Sequence, residues 1–573
     1  MISGRWLALV MVLSVASLAK AESFHDPVQD LGAEFWQWRA QEQPFTTDDI
    51  PRIERPAGYA VDWSAKTIRK RENELAVYEE RWRRTGPGAG ASIQQQVDYR
   101  LLGSALARVR WELTIEQTWR RDPQFYFDQT VGSVVALLLQ PPPFTGARQH
   151  EIVLRMRQIP STIHDAEENL DDIRAPFAEL AIASLDDIGD RTRRSESALS
   201  SELIEANRKD LLAATPAAIA ALEDYRTWLK SKLPTAAKET AIGRENYIYF
   251  LRNVALMPYT PEELLAMSRQ EWSRSVDFEA YQEERLKGMA PAPIFKSADE
   301  QIATEKAQEE KIRQFLGANR ILTVPAWMKH YRDLLLPAYL EPFDGVAETD
   351  DLTGPSRLDE DGTSYIRRPS AGLGFFYRST AEDPRSIIVH EGVPGHYFQL
   401  CLGWHNPDPL RRHYYDSGAN EGIGFYAEEM MLQAGLFDDN AHTRKTIYSF
   451  MRLRALRVEV DVKLALGQFT LTQAADYLER TVPMDHRTAL SEASMFASTP
   501  GQAISYQIGK LQINELLADA RRSQGDAFTL LRFNDFVWNN GNVPISLQRW
   551  ELLHDPSEVP LEMHEPAKTM GKP

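Results

Sequence analysis

The chain has 573 residues and a formal net charge of −17, and 43% of its residues are hydrophobic. This composition is typical of a large globular protein that buries a substantial core. The negative charge disfavours nucleic acids and anionic membranes as partners, because both attract basic patches and the chain has no polybasic run. The length exceeds the usual single-domain range, so we expect two lobes within one catalytic fold.

The first 21 residues have the features of a secretory signal peptide. Arg5 is basic, an apolar stretch follows from Trp6 to Ala19, and Ala19-Lys20-Ala21 has the form of a cleavage site. We expect cleavage after Ala21 and a secreted or periplasmic mature protein with no integral membrane segment. An uncleaved anchor is the alternative, although the stretch is shorter than the roughly 20 residues of a membrane span. No cysteine stands at the cleavage point, which disfavours lipid attachment there.

Cys401 is the only cysteine, so no intrachain disulfide can form in the oxidising compartment that the signal implies. It lies in the apolar run from Tyr397 to Trp404. We therefore predict a thiol that packs in the core rather than a metal ligand.

Helical patterns dominate from about residue 26 to residue 340. Val97 to Glu116 and Leu203 to Leu233 are two examples, and Pro216 is expected to interrupt the second. Thr260-Pro261-Glu262-Glu263 predicts a helix start with a capping box, and this helix is expected to run through Glu283.

An acidic, turn-rich segment from Glu341 to Gly362 is the best candidate for a lobe boundary. It separates an N-terminal helical region, residues 22–340, from a C-terminal region, residues 341–573. After it, Ser364 to Arg368 and Gly374 to Arg378 are predicted to be short strands of a small hairpin.

The rest of the C-terminal region has helical patterns. They are predicted at His442 to Leu466, Thr472 to Arg480, His486 to Ala497, and Pro500 to Ala520. The predicted fold class is therefore mostly α, with a small β element just before His390.

Residues near the middle of the chain have the side chains of a catalytic zinc site. The segment His390-Glu391-Gly392-Val393-Pro394-Gly395-His396 contains two imidazoles, and Glu421 follows 25 residues later. Two histidines and one glutamate are a common ligand set for catalytic zinc, which keeps a fourth position for water. In the usual motif the histidines are four residues apart on one helical face. Here they are six apart.

This spacing requires an irregular backbone. On a regular helix, a residue six positions along lies about 120° around the axis, so both imidazoles could not reach one metal ion. Pro394 removes a helical hydrogen bond and clashes with the preceding turn, and Gly395 permits backbone angles that other residues avoid. We therefore predict a break or bulge that brings His396 back toward His390.

Glu391 follows His390 directly and is the candidate general base. Zinc lowers the pKa of bound water from about 16 to about 7, and a nearby carboxylate can take the proton and pass it to the leaving amine. The alternative is that the histidines are hydrogen-bonded core residues and that Glu391 is structural.

From about Asp122 onward, the order of motifs resembles the bacterial family DUF885. The matching segments are His390 to Gln399, Glu421-Gly422, Tyr426-Ala427-Glu428, and Pro500 to Gly509. The resemblance implies a distant relationship to α-helical zinc peptidases, whose two-lobed fold surrounds a central channel. Many members carry a histidine shortly after an aspartate in the helix that follows the glutamate motif. Here that stretch contains Asp461 but no histidine.

Two further residues are candidates for roles at the zinc site. Glu421 would be the third zinc ligand, as in helical zinc peptidases, and a carboxylate that caps a helix N-terminus is the alternative. Tyr506 would donate to the oxyanion of the tetrahedral intermediate, from a helical face that it shares with Gln502. A buried tyrosine with a satisfied hydroxyl is the alternative.

Three further residues are candidates for substrate binding. Gln502 and Lys510 lie near Tyr506 in the sequence, and Tyr377 belongs to the aromatic run 375–377, which is expected to offer an edge strand to an extended peptide. A solvated lysine and an aromatic run that packs in the core are the alternatives.

Support for the metal ligands requires further polar residues, because each imidazole needs an acceptor for its second nitrogen. Asp416, Asp461 and Glu428 are open alternatives for this role, and Gln399 is a further candidate near the ligands.

The sequence therefore predicts a hydrolase with one Zn²⁺ ion that cleaves amide bonds of short peptides. Two alternatives stay open: an inactive peptide-binding protein on the same fold, and a zinc hydrolase that acts on a non-peptide amide or ester. Substrate identity, endo- or exopeptidase mode and oligomeric state do not follow from the sequence.

Overall fold

The computed structural model describes residues 26–45, 53–59, 62–347, 349–350, 354–482 and 484–560. The predicted signal peptide and its cleavage site lie outside these residues. Within them, α-helices dominate and three short strands form one small sheet, which confirms the predicted fold class.

Thirteen α-helices of the described chain precede the sheet. They are α1 (Pro27–Glu42), α2 (Ala65–Thr85), α3 (Ile93–Arg110), α4 (Thr118–Arg121), α5 (Pro123–Phe127), α6 (Ser133–Leu138), α7 (Gly146–Asn169), α8 (Ala175–Ser184), α9 (Ile188–Leu199), α10 (Glu205–Lys232), α11 (Arg244–Tyr249), α12 (Pro261–Leu286) and α13 (Ala298–Ala318).

The sheet has the strand order β1-β3-β2 and lies just before His390 in the sequence. Its strands are β1 (Tyr331–Leu335), β2 (Thr349–Asp350) and β3 (Gly362–Ile366). β1 pairs with β3 in parallel, from Tyr331↔Gly362 to Leu335↔Ile366, and β2 pairs with β3 in antiparallel orientation.

The helices after the sheet carry His396, Glu421 and Tyr506. They are α14 (Phe375–Glu382), α15 (Arg385–Ile387), α16 (His396–His405), α17 (Pro409–His413), α18 (Ser417–Gln433), α19 (Ala441–Ala465), α20 (Leu471–Thr481), α21 (His486–Ser498), α22 (Ser505–Gln524), α23 (Leu530–Asn539) and α24 (Ile545–Leu553). π-Helical segments occur at Trp111–Glu116, Asp128–Gly132, Phe250–Val254 and Ile388–Gly392, and 3₁₀ segments at Leu233–Thr235, Glu341–Phe343, Pro355–Arg357 and Gly525–Ala527.

The capping signal at Thr260 is confirmed. The Thr260 hydroxyl accepts a hydrogen bond from the backbone N–H of Glu263 at 3.3 Å, and the Glu263 carboxylate accepts one from the Thr260 N–H at 2.7 Å. The helix continues to Leu286, three residues beyond the predicted end. Local polar contacts therefore set where this helix starts.

Three sequence predictions of local structure are wrong. Pro216 does not interrupt a helix, because it lies inside the continuous α10, whose apolar face is buried against α7. Phe375 to Arg378 is helical rather than a strand, and Phe375 packs edge-on against Phe450 at 5.5 Å. The helix predicted from Pro500 to Ala520 is α22, which starts at Ser505 because residues 500–504 form turns.

Two helices of the C-terminal region cross with almost no space between their backbones. A Cβ atom on Gly509 of α22 would lie 2.0 Å from the carbonyl oxygen of Gly418 in α18, and one on Gly422 would lie 2.7 Å from the Gly509 Cα. Only glycine permits this approach. The crossing fixes the relative positions of α18, which carries Glu421, and α22, which carries Tyr506.

A buried ion-pair network joins the same two helices to α12. The Lys510 ammonium, which has no exposed surface, lies 2.8 Å from the Glu429 carboxylate and 3.4 Å from that of Glu271. Arg274 pairs with Glu271 at 2.8 Å and with Glu429 at 2.9 Å. Two cations and two anions therefore compensate one another around the buried Lys510 ammonium.

Cys401 is 1% exposed within the core that also contains Val389 and Ile423, so the prediction of a core thiol is confirmed. Across the described part of the chain, every helix is too short or too polar to cross a lipid bilayer.

Candidate metal centre

The backbone breaks between the two histidines, as predicted. The π-helical segment Ile388–Gly392 contains His390, and α16 begins at His396. A Cβ atom on Gly395 would lie 1.7 Å from the carbonyl oxygen of His390, so the chain folds back on itself more closely than any other residue allows. The break changes the direction of the chain between the imidazoles.

This change of direction brings the two imidazoles and Glu421 together. The Glu421 Oε2 atom lies 3.2 Å from Nε2 of His396 and 3.5 Å from Nε2 of His390, and the two rings are 4.7 Å apart. Donor atoms bound tetrahedrally at 2.0–2.1 Å from one zinc ion are about 3.3 Å apart. The two distances to the Glu421 oxygen are close to this spacing.

The electrostatics of Glu421 also fit a cation. The side chain is 10% exposed, and its Oε2 has no hydrogen-bond partner among the described residues. Burial raises the pKa of Glu421, but His396 and His390 outweigh burial and hold the pKa well below its ordinary value. A buried carboxylate oxygen without a hydrogen bond is costly unless a positive charge faces it.

Glu428 is the residue that supports His390. Its Oε1 atom lies 2.7 Å from Nδ1 of His390 and 2.8 Å from Nη2 of Arg454. Burial lowers the pKa of His390, but Glu421 and Glu428 outweigh burial and raise it to about 9. Nδ1 of His396 has no hydrogen-bond partner within the described ranges.

The other two candidates for this support lie elsewhere. Asp416 caps α18 and accepts a hydrogen bond from the Ala419 N–H at 2.8 Å. Asp461 accepts hydrogen bonds from the N–H groups of Gly501 and Ala503, at 3.0 Å and 2.9 Å, and burial raises its pKa to about 7. Asp461 therefore holds the turn that leads into α22.

A cavity of about 260 Å³ opens beside the candidate metal centre. His390, Glu391 and Tyr506 line it, and Glu391 is partly exposed there. The donor atoms of His390, Glu391 and His396 lie within 4.8 Å of one another. The Tyr506 ring is nearly parallel to that of His390, with ring centroids 6.2 Å apart. The candidate base and the candidate oxyanion donor therefore both reach the cavity.

The remaining predicted residues lie in different places. Tyr377 lines the cavity, but from α14, so it offers no edge strand. Gln502 is buried in the turn before α22 and does not share a helical face with Tyr506. Lys510 belongs to the buried ion-pair network, and Gln399 is buried and donates to the Gly541 carbonyl at 2.9 Å. Gln502, Lys510 and Gln399 do not line the cavity.

Sequence reasoning missed three arginines that line the cavity. Arg367 follows β3, whereas Arg454 and Arg457 lie on α19 and are 6% and 5% exposed. The signal in the sequence is that Arg454 and Arg457, three positions apart, lie among the apolar residues Leu453, Ala455, Leu456 and Val458. Charged residues on a buried helical face are unusual and mark a site or a buried ion pair.

The fold and the site together define a mostly helical protein with two histidines and a glutamate clustered beside a cavity. The chain belongs to the family described as "Bacterial protein of unknown function (DUF885)", whose model matches residues 53–552. No curated protein matches the chain.

Two solved structures have the same fold. One is described as "a putative lipoprotein of unknown function" from Shewanella oneidensis; it has 16% sequence identity, a TM-score of 0.68, and coverage of 92% of this chain and 99% of its own. The other is a "putative lipoprotein" from Colwellia psychrerythraea, with 16% identity, a TM-score of 0.71, and coverage of 92% and 98%.

Proposed function

We propose that this protein is an exported zinc-dependent hydrolase that cleaves amide bonds of short peptides. His390, His396 and Glu421 hold one zinc ion, Glu391 is the general base and acid, and Tyr506 donates to the oxyanion. The convergence of two imidazole nitrogens on one carboxylate oxygen, at 3.2 Å and 3.5 Å, carries the proposal.

A bound zinc ion would supply a Lewis acid that polarises water and the substrate carbonyl. Glu391 lies beside that position in the cavity wall and can take a proton from water and return it to the leaving amine. Glu428 holds the Nδ1 side of His390 and so leaves Nε2 directed at the metal position.

Export to the cell envelope is part of the proposal. The N-terminal signal features support it, and the two structural neighbours are both described as putative lipoproteins. Detection of the mature protein in an osmotic-shock fraction, with its N-terminus sequenced, tests both export and cleavage after Ala21. A cytoplasmic, uncleaved product would contradict this part of the proposal.

The metal centre is tested by elemental analysis of purified protein. We expect about one zinc ion per chain and a loss of zinc in His396→Ala and in Glu421→Gln. His405→Ala is the matched control, because His405 stacks on Trp327 away from the centre. Unchanged zinc content in His396→Ala would overturn the site.

The chemistry is tested with Glu391→Gln and a library of short peptides. We expect this variant to keep its zinc and to lose at least about a hundredfold in kcat, because it cannot accept the proton. Equal turnover by both proteins would remove Glu391 from the mechanism. A zinc-loaded protein that cleaves no peptide would contradict the peptidase activity and leave the metal site intact.

A further inference from the structure

Arg457 on α19 is a buried cation beside the metal centre that the proposed hydrolysis does not use. Its Nε and Nη2 atoms both contact one carboxylate oxygen of Glu492, at 2.7 Å and 2.6 Å. Glu492 therefore engages two of the three nitrogens of the guanidinium. Arg457 lines the cavity, so its guanidinium belongs to the cavity wall.

The guanidinium of Arg457 lies close to the proposed reaction centre. Its central carbon is 4.6 Å from the centroid of the Tyr506 ring. Burial lowers the pKa of Arg457, but Glu492, Tyr506 and Glu421 outweigh burial and raise it above its ordinary value. The cation is therefore within electrostatic reach of the Glu421 carboxylate and beside the candidate oxyanion donor.

The cavity wall carries cations that each also pair with a carboxylate: Arg367 with Asp344, Arg454 with Glu428 and Arg457 with Glu492. Three arginines, Arg367, Arg454 and Arg457, line it together with two acids, Glu391 and Glu428. Arg454 pairs with Glu428 at 2.8 Å, which compensates both of those charges. Arginine is well suited to carboxylates, because its planar group donates several hydrogen bonds in fixed directions.

We propose that Arg457 binds the α-carboxylate at the C-terminal end of a peptide, so that the enzyme removes residues from free C-termini. This inference rests on the proposed function and assigns an exopeptidase mode to it. Arg457 is 5% exposed, so a ligand reaches it at a closed part of the cavity wall. The end of a peptide fits there better than a peptide that continues past this point.

The test compares two pools of tetrapeptides with the same random sequences, one with free C-terminal carboxylates and one with carboxamides. We expect kcat/KM at least about tenfold higher for the acids, which is the usual effect of one hydrogen bond to a charged group. In Arg457→Lys, and in the double variant Arg457→Gln with Glu492→Gln, the ratio should fall toward one. The double variant leaves no buried charge unpaired.

Arg452→Lys is the matched control, because Arg452 lies on the same helix, pairs with Glu279 at 3.0 Å and does not line the cavity. It should keep the preference for acids. Equal hydrolysis of both pools by the wild-type protein would overturn the inference and leave the proposed hydrolase intact. An equal loss of rate for both pools in Arg457→Lys would also overturn it and would indicate a role with the oxyanion.

If neither pool is hydrolysed, the proposed function fails. The role of Arg457 is then tested by the binding of the two peptide pools. Calorimetry with the same pools should then show tighter binding of the acids to the wild-type protein, and no difference in the double variant. Equal binding of acids and amides would overturn the role of Arg457 independently of catalysis.

Discussion

At the residue scale, Gly395 controls whether the two imidazoles converge. Its Cα hydrogen faces the His390 carbonyl, where a Cβ atom would lie 1.7 Å from the oxygen. Gly403, eight residues later in α16, has no atom within 4 Å of such a Cβ position. The two glycines therefore have opposite tolerance for the same substitution.

We predict that Gly395→Ala loses most of its zinc and is destabilised by at least about 3 kcal/mol, because the backbone must move to relieve the overlap. Gly403→Ala should keep its zinc and equal or exceed wild-type stability, because alanine favours helix. Zinc analysis and urea unfolding measure both effects. Normal zinc content in Gly395→Ala would show that the break does not depend on this glycine.

A second prediction at this scale concerns Glu428. Glu428→Gln should weaken zinc binding about tenfold to a hundredfold, because His390 loses the carboxylate that orients its Nδ1 side. Glu429→Gln removes the same charge from the next position, whose carboxylate pairs with Lys510, and should leave zinc affinity unchanged. Competition with a chelator measures both affinities. Equal effects of the two substitutions would indicate that only the overall charge matters.

At the scale of the elements, the site depends on the close crossing of α18 and α22. We predict that Gly509→Ala destabilises the protein by at least about 3 kcal/mol, because its Cβ would lie 2.0 Å from the Gly418 oxygen and push the helices apart. Gly317→Ala in α13, where no atom lies within 4 Å, is the matched control and should be neutral or slightly stabilising. Urea unfolding of the two variants measures the difference. Similar stabilities would show that the crossing adjusts freely.

At the scale of the whole molecule, the network of Lys510, Glu429, Glu271 and Arg274 should govern part of the stability at acid pH. Burial raises the pKa of Glu429, but Lys510 and Arg274 outweigh burial and lower it to about 2. A carboxyl group with a lowered pKa in the folded state stabilises the protein above its unfolded pKa of about 4.5. That contribution is lost as the pH falls from 4.5 toward 2.

We therefore predict that wild-type protein exceeds Glu429→Gln in unfolding free energy most strongly at pH 6. The excess should shrink by about 3 kcal/mol as the pH falls to 2, because protonated Glu429 resembles glutamine. Urea unfolding at pH 6, 4.5 and 3 measures the trend. A difference that does not change with pH would contradict the assigned pKa.

Much of the local structure followed from sequence because its causes are local. The helix start at Thr260 depends on residues within four positions, and the break between His390 and His396 depends on Pro394 and Gly395. The aromatic run 375–377 was predicted to be a strand because aromatic residues favour strands. Its packing against Phe450 in α19, 75 residues away, made it a helix instead.

The sequence by itself determined the chemical groups of the site: two imidazoles, an adjacent carboxylate and the irregular backbone between them. Only the tertiary structure decided that Glu421 meets both imidazoles, that Glu428 rather than Asp416 or Asp461 supports His390, and that Lys510 is compensated away from the cavity. The physical reason is that these contacts join separate helices. Their positions depend on how the helices pack, and no pattern within a single helix specifies that packing.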